Sequence, residues 1–182
     1  NGTTVHLDKL QFRLPDRSGL PNVSEYGKLR ALDGSDVVSG YTEASRGCKH
    51  RCRHCPVVPV YDGAFRIVQR DIVLDDVAQQ VGAGAHHVTF GDPDFFNGPS
   101  HGMAVVRALH ERFPDLTYDV TIKVEHLLNH RELLAELAGT GCLFVTTAVE
   151  ALDDHSLDIL DKGHTREDFI EAIGLAQQAG LT

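Results

Sequence analysis

Short apolar runs alternate with segments of helical period along most of the chain, and this alternation predicts an α/β fold. Each short apolar run suits a strand, and each segment between the runs repeats apolar residues at three- and four-residue steps. The predicted strands cover residues 37–44, 87–90, 117–124 and 142–148. The predicted helices cover residues 71–84, 99–113, 129–138 and 157–160, and a last helix carries Phe169, Ile170 and Ile173. This order, strand then loop then helix, implies a parallel sheet with right-handed crossovers.

The first 36 residues lack this alternation, and we predict a linker or leader in front of a core at residues 37–182. Residues 5–10 suggest a short strand, and residues 22–32 suggest a short helix with Tyr26 and Leu29 on one side. A disordered leader is the alternative interpretation of this stretch.

The two ends of the sequence predict a fragment of a longer protein. The chain begins at Asn1 without an initiator methionine, and Leu181 and Thr182 suggest the start of a fifth strand. The open edge that this leaves on the last strand predicts that the segment alone is unstable or aggregates.

The motif that organises the chain runs from Cys48 to Cys55 and holds three of the four cysteines in a C-x3-C-x2-C pattern. Three cysteines so close in sequence can form only one disulfide, which leaves the third thiol unpaired. All three can instead bind one metal centre. They suit a [4Fe–4S] cluster in which one iron stays open to another ligand. The neighbouring Arg46, Lys49, Arg51 and Arg53 are expected to favour the thiolate form.

This cysteine motif, placed after a strand and with a ring residue before its last cysteine, resembles the radical SAM superfamily. The resemblance implies that Cys48, Cys52 and Cys55 bind a [4Fe–4S] cluster and that S-adenosylmethionine chelates the open iron. Reductive cleavage would then yield a 5′-deoxyadenosyl radical that abstracts hydrogen from a substrate. The implied fold is a partial parallel (β/α) barrel, related to the TIM barrel, of which this chain holds the first four of about six units. The flanking residues also resemble a bacterial subgroup named for a CUAEP/CCAEP tail, although these residues contain no such tail.

The same resemblance assigns the methionine end of the cofactor to residues that follow the second and third strands. Gly91-Asp92-Pro93-Asp94 takes the place of the family's Gly-Gly-Glu motif. Gly91 with Asp92 or Asp94 is expected to hold the amino group, and Lys123 to pair with the carboxylate. Taken alone, this tetrapeptide is also good turn chemistry, so the assignment depends on the cysteine motif before it.

The nucleoside end is assigned in the same way. His54 is expected to lie against the adenine, and Glu150 to accept from the ribose hydroxyls, with Thr147 beside it. A carboxylate is a good acceptor for a vicinal diol. Both Thr147 and Glu150 follow the fourth predicted strand, and barrel active sites form at the carboxyl ends of strands.

Two other interpretations of the cysteines stay open. One is a zinc-stabilised Cys3His binding module without catalysis, whose fourth ligand is His50, His54 or another of the 11 histidines. The other is a simple electron-carrier cluster, which needs a fourth cysteine near the loop. Cys142 begins the fourth predicted strand, away from the loop, and is expected to be a small buried hydrophobic residue.

Composition narrows the remaining function classes. At 182 residues, with 42% hydrophobic and 24% charged residues, the chain suits one globular domain. The net charge of −9 argues against broad binding of nucleic acid or of an anionic membrane. If three of the four cysteines bind a cluster, none can form a disulfide framework. We therefore expect the protein to be located in the reducing cytoplasm. The resemblance implies two partners, an unidentified small-molecule or peptide substrate and an electron donor such as flavodoxin or ferredoxin.

Overall fold

A five-stranded, mostly parallel sheet forms the centre of the computed structural model, which describes residues 10–25, 27–31 and 33–182. The strands are β1 (Lys28–Arg30), β2 (Asp36–Thr42), β3 (Ser45–Gly47), β4 (Phe65–Ile67), β5 (His87–Phe90), β6 (Thr117–Thr121) and β7 (Cys142–Thr146). The main sheet has the order β1-β2-β5-β6-β7, and β3 and β4 form a separate two-stranded sheet. Strands β2, β5, β6 and β7 are parallel to one another, and β1 is antiparallel to β2. The sheet is a curled half-barrel, so the predicted fold class is confirmed.

Helices connect the parallel strands. They are α1 (Val58–Tyr61), α2 (Arg70–Gly82), α3 (Pro99–Arg112), α4 (Val124–Asn129), α5 (Leu134–Gly139), α6 (Asp154–Ile159) and α7 (Arg166–Gln178). Single turns of 3-10 helix cover Val23–Glu25, Phe95–Asn97 and Arg131–Leu133. Thr165 and Asp168 form the predicted capping box at the start of α7, with Thr165 N donating to Asp168 Oδ2 at 2.8 Å.

The core lies between the sheet and the helices that cover one of its faces. Val88 and Val120 of the central strands are fully buried, as are Val77 of α2 and Val106 of α3. Tyr118 lies in this core with its hydroxyl 2.7 Å from Thr140 Oγ1, so its one polar atom keeps a partner. Burial of these apolar side chains is the main force that fixes the strand order.

All four predicted barrel strands are present, with bounds that differ by a few residues, and two places show a change in the type of structure. The strand predicted at 117–124 ends at Thr121, and Val124 already begins α4. Residues 129–138 were expected to form one helix, whereas a 3-10 turn at Arg131–Leu133 precedes α5. In both places the apolar residues continue with a period that suits either structure, so the pattern alone does not mark the boundary.

The helix predicted at residues 22–32 is wrong. A 3-10 turn at Val23–Glu25 is followed by β1, which pairs Lys28 with Val38 in a hairpin. The turn contains Asp33-Gly34, a frequent hairpin sequence, and Gly34 has a φ of 84°. That dipeptide was the signal in the sequence for this strand. Residues 1–9, Tyr26 and Leu32 lie outside the described residues, and with them most of the strand suggested at residues 5–10.

Candidate functional site

A two-stranded hairpin holds the cysteine loop at the carboxyl end of β2. Strands β3 and β4 pair with Gly47 opposite Phe65, so the loop and α1 lie between them. Gly47 has a φ of 85°, and a Cβ there would lie 2.5 Å from the carbonyl oxygen of Ala64. Glycine is therefore needed where the chain enters the loop.

The three cysteines of the loop border one open cavity at the carboxyl ends of the parallel strands. Cys52 is buried, Cys48 and Cys55 are partly buried, and all four thiols of the chain are free. The other walls come from the turn after β5, the end of β6 and the segment after β7. His54, Asp94, Lys123 and Glu150 border the same cavity.

Asn97 fixes the first cysteine, although no motif in the sequence indicated it. Its side-chain oxygen accepts from Lys49 N at 3.1 Å and lies 3.8 Å from Cys48 Sγ. Its amide nitrogen donates to Gly47 O at 3.5 Å, and the residue is 1% exposed. The 3-10 turn after β5 thus carries a buried amide that holds the start of the cysteine loop.

The basic residues of the loop do not lower the pKa of Cys48 as expected. Burial raises the pKa of the Cys48 thiol. The cations are engaged elsewhere, since Arg46 binds Glu43 at 2.6 Å and Lys49 lies over the ring of Phe65. Arg51 donates to the carbonyl oxygen of Asp62 at 3.0 Å.

The two carboxylates of the turn after β5 have different surroundings. Asp92 is 2% exposed and accepts from Ala44 N at 2.8 Å and from Ser45 Oγ at 2.6 Å. Burial raises the pKa of Asp92 to about 6. Asp92 therefore joins the turn after β5 to the start of β3 by hydrogen bonds. It is not among the residues that border the cavity.

Asp94 borders the cavity and contacts two histidines that the sequence analysis did not assign to the cofactor, of which His50 also borders the cavity. Its Oδ2 lies 2.8 Å from His126 Nδ1 and 3.5 Å from His50 Nε2. Burial alone would raise its pKa, but the two histidines hold the pKa of Asp94 below its ordinary value. No motif in the sequence indicated this group, because His50 and His126 belong to separate β/α units.

Further charged residues line the same cavity. Lys123 Nζ lies 3.0 Å from both His50 Nδ1 and Glu125 Oε2. Glu150 Oε1 lies 3.1 Å from His54 Nε2 and 3.7 Å from Nζ of the buried Lys162. The sequence analysis did not assign Lys162 a role, and it brings a second buried cation to this cavity.

Three further residues lie apart from this cavity. Gly91 packs under Tyr41, since a Cβ there would lie 1.7 Å from the tyrosine hydroxyl oxygen. Thr147 borders a separate, mostly apolar cavity with Val145 and Phe169. Cys142 is 4% exposed, and burial raises its pKa to about 12, as suits a small hydrophobic residue.

The comparison with protein families decides the broader assignment. The family model described as the radical SAM superfamily matches residues 42–182. The chain belongs to the radical SAM superfamily. Members of this superfamily are enzymes that bind a [4Fe–4S] cluster and S-adenosylmethionine, so the family and its cofactors are as the sequence predicted.

Curated relatives of this radical SAM chain are longer proteins. It is 28% identical over 134 residues to bacteriochlorophyllide d C-12(1)-methyltransferase of Chlorobaculum tepidum, covering 71% of the chain and 28% of the relative. It is 25% identical over 151 residues to tRNA-2-methylthio-N(6)-dimethylallyladenosine synthase of Chlorobium phaeobacteroides, covering 80% of the chain and 34% of the relative. The chain thus spans about a third or less of these relatives' length.

The fold of the radical SAM chain also matches solved structures. One is the methyltransferase TsrM from Kitasatospora setae, solved with tryptophan substrate and a SAM analogue. The TM-score is 0.65 at 22% identity, covering 79% of this chain and 29% of TsrM. At this identity the likeness concerns the fold alone. In the part of the radical SAM chain that the structure describes, no helix is both long and apolar enough to cross a bilayer.

Proposed function

We propose that this chain is part of a radical SAM enzyme that holds a [4Fe–4S] cluster on Cys48, Cys52 and Cys55. The observation that carries the proposal is the cavity that these cysteines share with Asp94, Lys123 and Glu150. When bound, the cluster and S-adenosylmethionine supply a reductive C–S cleavage whose 5′-deoxyadenosyl radical abstracts hydrogen from a substrate, here unidentified.

The donors around the cavity fit these groups. Three free thiols from one loop suit three irons of a cubane cluster. Asn97 holds the loop backbone beside Cys48, so that the first thiol has a fixed position. The amide group of Asn97 is buried and is held on both sides, since its oxygen accepts from Lys49 N and its nitrogen donates to Gly47 O.

The methionine end of the cofactor is assigned to the turn after β5 and to Lys123. Both oxygens of Asp92 already accept hydrogen bonds from the start of β3, whereas Asp94 Oδ2 lies at the cavity without a hydrogen bond. We therefore assign the amino group to Asp94, with Gly91 and Asp92 shaping the turn. Lys123 is 10% exposed in its side chain and supplies the positive charge for the carboxylate.

The nucleoside end of the cofactor is assigned to His54 and Glu150, which border the same cavity. His54 presents an aromatic ring for the adenine, and Glu150 presents a carboxylate for the ribose hydroxyls. Their 3.1 Å contact keeps ring and carboxylate at one end of the cavity. Lys162 offsets part of the charge of Glu150 from 3.7 Å.

The proposed setting follows from the same chemistry. A superfamily of this kind needs a reductant, and we propose a protein electron donor such as flavodoxin or ferredoxin in a reducing cytoplasm. The substrate is a small molecule or a peptide that reaches the cavity.

Anaerobic reconstitution with iron and sulfide tests the proposal. The wild-type chain should bind about four iron per chain and, with a strong reductant, convert S-adenosylmethionine to 5′-deoxyadenosine. Cys52→Ala should lose the cluster, whereas Cys142→Ala is the matched control and should retain it. Binding of one zinc by the cysteines, without any iron–sulfur absorption, would support instead the zinc-stabilised Cys3His module.

A further inference from the structure

Three polar atoms from three separate elements converge beside the cysteine loop, and none of them makes a hydrogen bond of good geometry. They are His50 Nε2 of the loop, Asp94 Oδ2 of the turn after β5, and His126 Nδ1 of α4. All three atoms are buried and lie within 4.8 Å of one another. The carboxylate oxygen is in ion-pair contact with both imidazoles. Buried polar atoms nearly always make well-directed hydrogen bonds, so three that face one another without any require an explanation.

We propose that His50, Asp94 and His126 form a second metal site, separate from the three cysteines, that takes a divalent first-row transition ion such as Zn²⁺ or Fe²⁺. Two imidazole nitrogens and one carboxylate oxygen are the ligand set of many zinc sites and of mononuclear iron(II) sites. The site is a group of donors near an open cavity, so water or another small ligand completes the coordination.

The distances agree with such a site after small side-chain movements. Asp94 Oδ2 lies 2.8 Å from His126 Nδ1 and 3.5 Å from His50 Nε2. Ligands about 2.0–2.1 Å from one ion in a tetrahedral site are roughly 3.3 Å apart. The rings of His50 and His126 have centroids 4.7 Å apart, so both nitrogens reach one ion without moving the backbone.

The charge of the group also suits a cation. Asp94 is 2% exposed, and its other oxygen accepts from Phe96 N at 3.2 Å, which fixes the carboxylate. His50 and His126 both face this carboxylate. Once an ion replaces their contact with it, the imidazoles bind as neutral ligands.

The positive charge of Lys123 disfavours binding of a cation at His50. Its Nζ lies 3.0 Å from His50 Nδ1, so this nitrogen accepts a hydrogen bond from the ammonium group. Binding of an ion at Nε2 requires Nδ1 to carry the proton, and Glu125 Oε2, 3.9 Å away, is the acceptor for it once Lys123 turns aside. A carboxylate behind a metal-bound histidine is a common arrangement.

The site has a consequence for cofactor binding that depends on the function proposed above. Asp94 is there assigned to the amino group of S-adenosylmethionine, and a single carboxylate oxygen cannot serve both an ammonium group and a divalent ion. Occupation of the metal site therefore lowers the affinity for S-adenosylmethionine, and the cofactor in turn displaces the ion. Metal binding itself does not depend on that assignment.

Zinc titration of a variant without the three cluster cysteines tests the site. In Cys48→Ser/Cys52→Ser/Cys55→Ser, calorimetry should detect one Zn²⁺ per chain. Adding His126→Gln should weaken binding by about tenfold or more. Adding His130→Gln is the matched control and should change the affinity less than about twofold, because His130 packs its ring against His126 and Phe96 but is not one of the three ligands. Equal binding by the two histidine variants, or no zinc bound, overturns the site.

A second measurement covers the case in which the cysteine-free variant does not fold, as judged by circular dichroism. The same titration is then made on the cluster-loaded wild-type chain, whose cysteines are occupied, with iron content checked after each addition. On this chain Zn²⁺ should also raise the apparent Kd for S-adenosylmethionine. Zinc binding without that rise overturns the shared use of Asp94. A chain that never takes up a cluster contradicts the proposed function, and the zinc stoichiometry of the chain with its cysteines intact then decides the metal site, since His126→Gln should bind one Zn²⁺ fewer than His130→Gln.

Discussion

His54 Nε2 lies 3.1 Å from Glu150 Oε1, although the two residues are 96 positions apart in the sequence. The contact joins the cysteine loop to the segment after β7, and Arg53 N adds a hydrogen bond to Leu160 O at 3.0 Å. Glu150 has a φ of 67°, a left-handed conformation that residues other than glycine rarely adopt. Such strain is often found at functional sites, so this pair is a good place to test the proposed ribose contact.

Glu150→Gln should weaken binding of S-adenosylmethionine by roughly tenfold or more, because a hydrogen bond to a charged group contributes about 1.5–3 kcal/mol. Stability should change by less than about 1 kcal/mol, since the pair is partly exposed to solvent. Equilibrium dialysis on the reconstituted chain measures the affinity. Glu132→Gln, an exposed glutamate near His130, is the control, and an unchanged affinity in Glu150→Gln would remove the ribose assignment.

Asn97→Ala should release the cluster faster without unfolding the chain. The substitution removes the acceptor of Lys49 N and the neighbour of Cys48, at a cost of about 1–3 kcal/mol for the backbone group left unpaired. The rate at which a chelator removes iron measures the effect. Asn129→Ala, at an exposed position, is the control, and equal rates of iron loss would show that Asn97 does not hold the loop.

Asp92 should make stability depend on pH. Burial raises its pKa to about 6 from an ordinary 3.8, so the folded chain binds this proton more tightly than the unfolded chain. The contribution of Asp92 to stability is therefore present below about pH 4 and is lost as the pH rises to about 6, by up to about 3 kcal/mol.

Urea unfolding of the wild-type chain and Asp92→Asn at several pH values measures this effect. Because the amide does not titrate, the stability of wild type relative to Asp92→Asn should fall as the pH rises from 4 to 6. A difference that stays constant or increases over that interval would contradict the raised pKa. The comparison with Asp92→Asn removes the contribution of other carboxylates, which titrate in both proteins.

Asp76→Asn should destabilise the chain far more than Asp75→Asn, although the two residues are neighbours on α2. Asp76 is 3% exposed and accepts from Arg17 Nε at 2.7 Å and from Thr42 Oγ1 at 2.9 Å. Asp75 is half exposed and pairs only with Arg112 on the surface.

We expect a loss of about 1–3 kcal/mol for Asp76→Asn, because a partly buried arginine loses its counter-charge, and at most about 1 kcal/mol for Asp75→Asn. Thermal or urea unfolding measures both values. Limited proteolysis gives a second readout, since the segment around Arg17 should be cleaved faster when Asp76 no longer binds it. Equal losses in the two variants would show that this buried network does not hold the segment.

Local signals in the sequence were enough for the order of the strands and for most of the candidate site. The cysteine spacing, the turn after β5 and the positions of Lys123 and Glu150 all follow strands whose apolar residues are contiguous in sequence. Parallel strands bring their carboxyl ends to one edge, so these residues had to lie near one another. The sequence analysis predicted a helix where the first β-strand lies, and the Asp33-Gly34 turn was not part of that prediction.

Only the tertiary structure decided which of these residues stabilise the fold and which border the cavity. Asp92 and Asp94 are two positions apart and chemically identical, yet one holds β3 and the other lies at the cavity beside His50 and His126. Asn97 and Lys162 likewise lie at the site because of tertiary contacts that no motif in the sequence indicated. Such contacts join separate β/α units, and their geometry depends on how helices pack on the sheet, which no spacing within one unit encodes. The sequence by itself determined that the chain carries the cysteines of a radical SAM cluster. The packing of its β/α units determined which side chains lie at the cavity beside them.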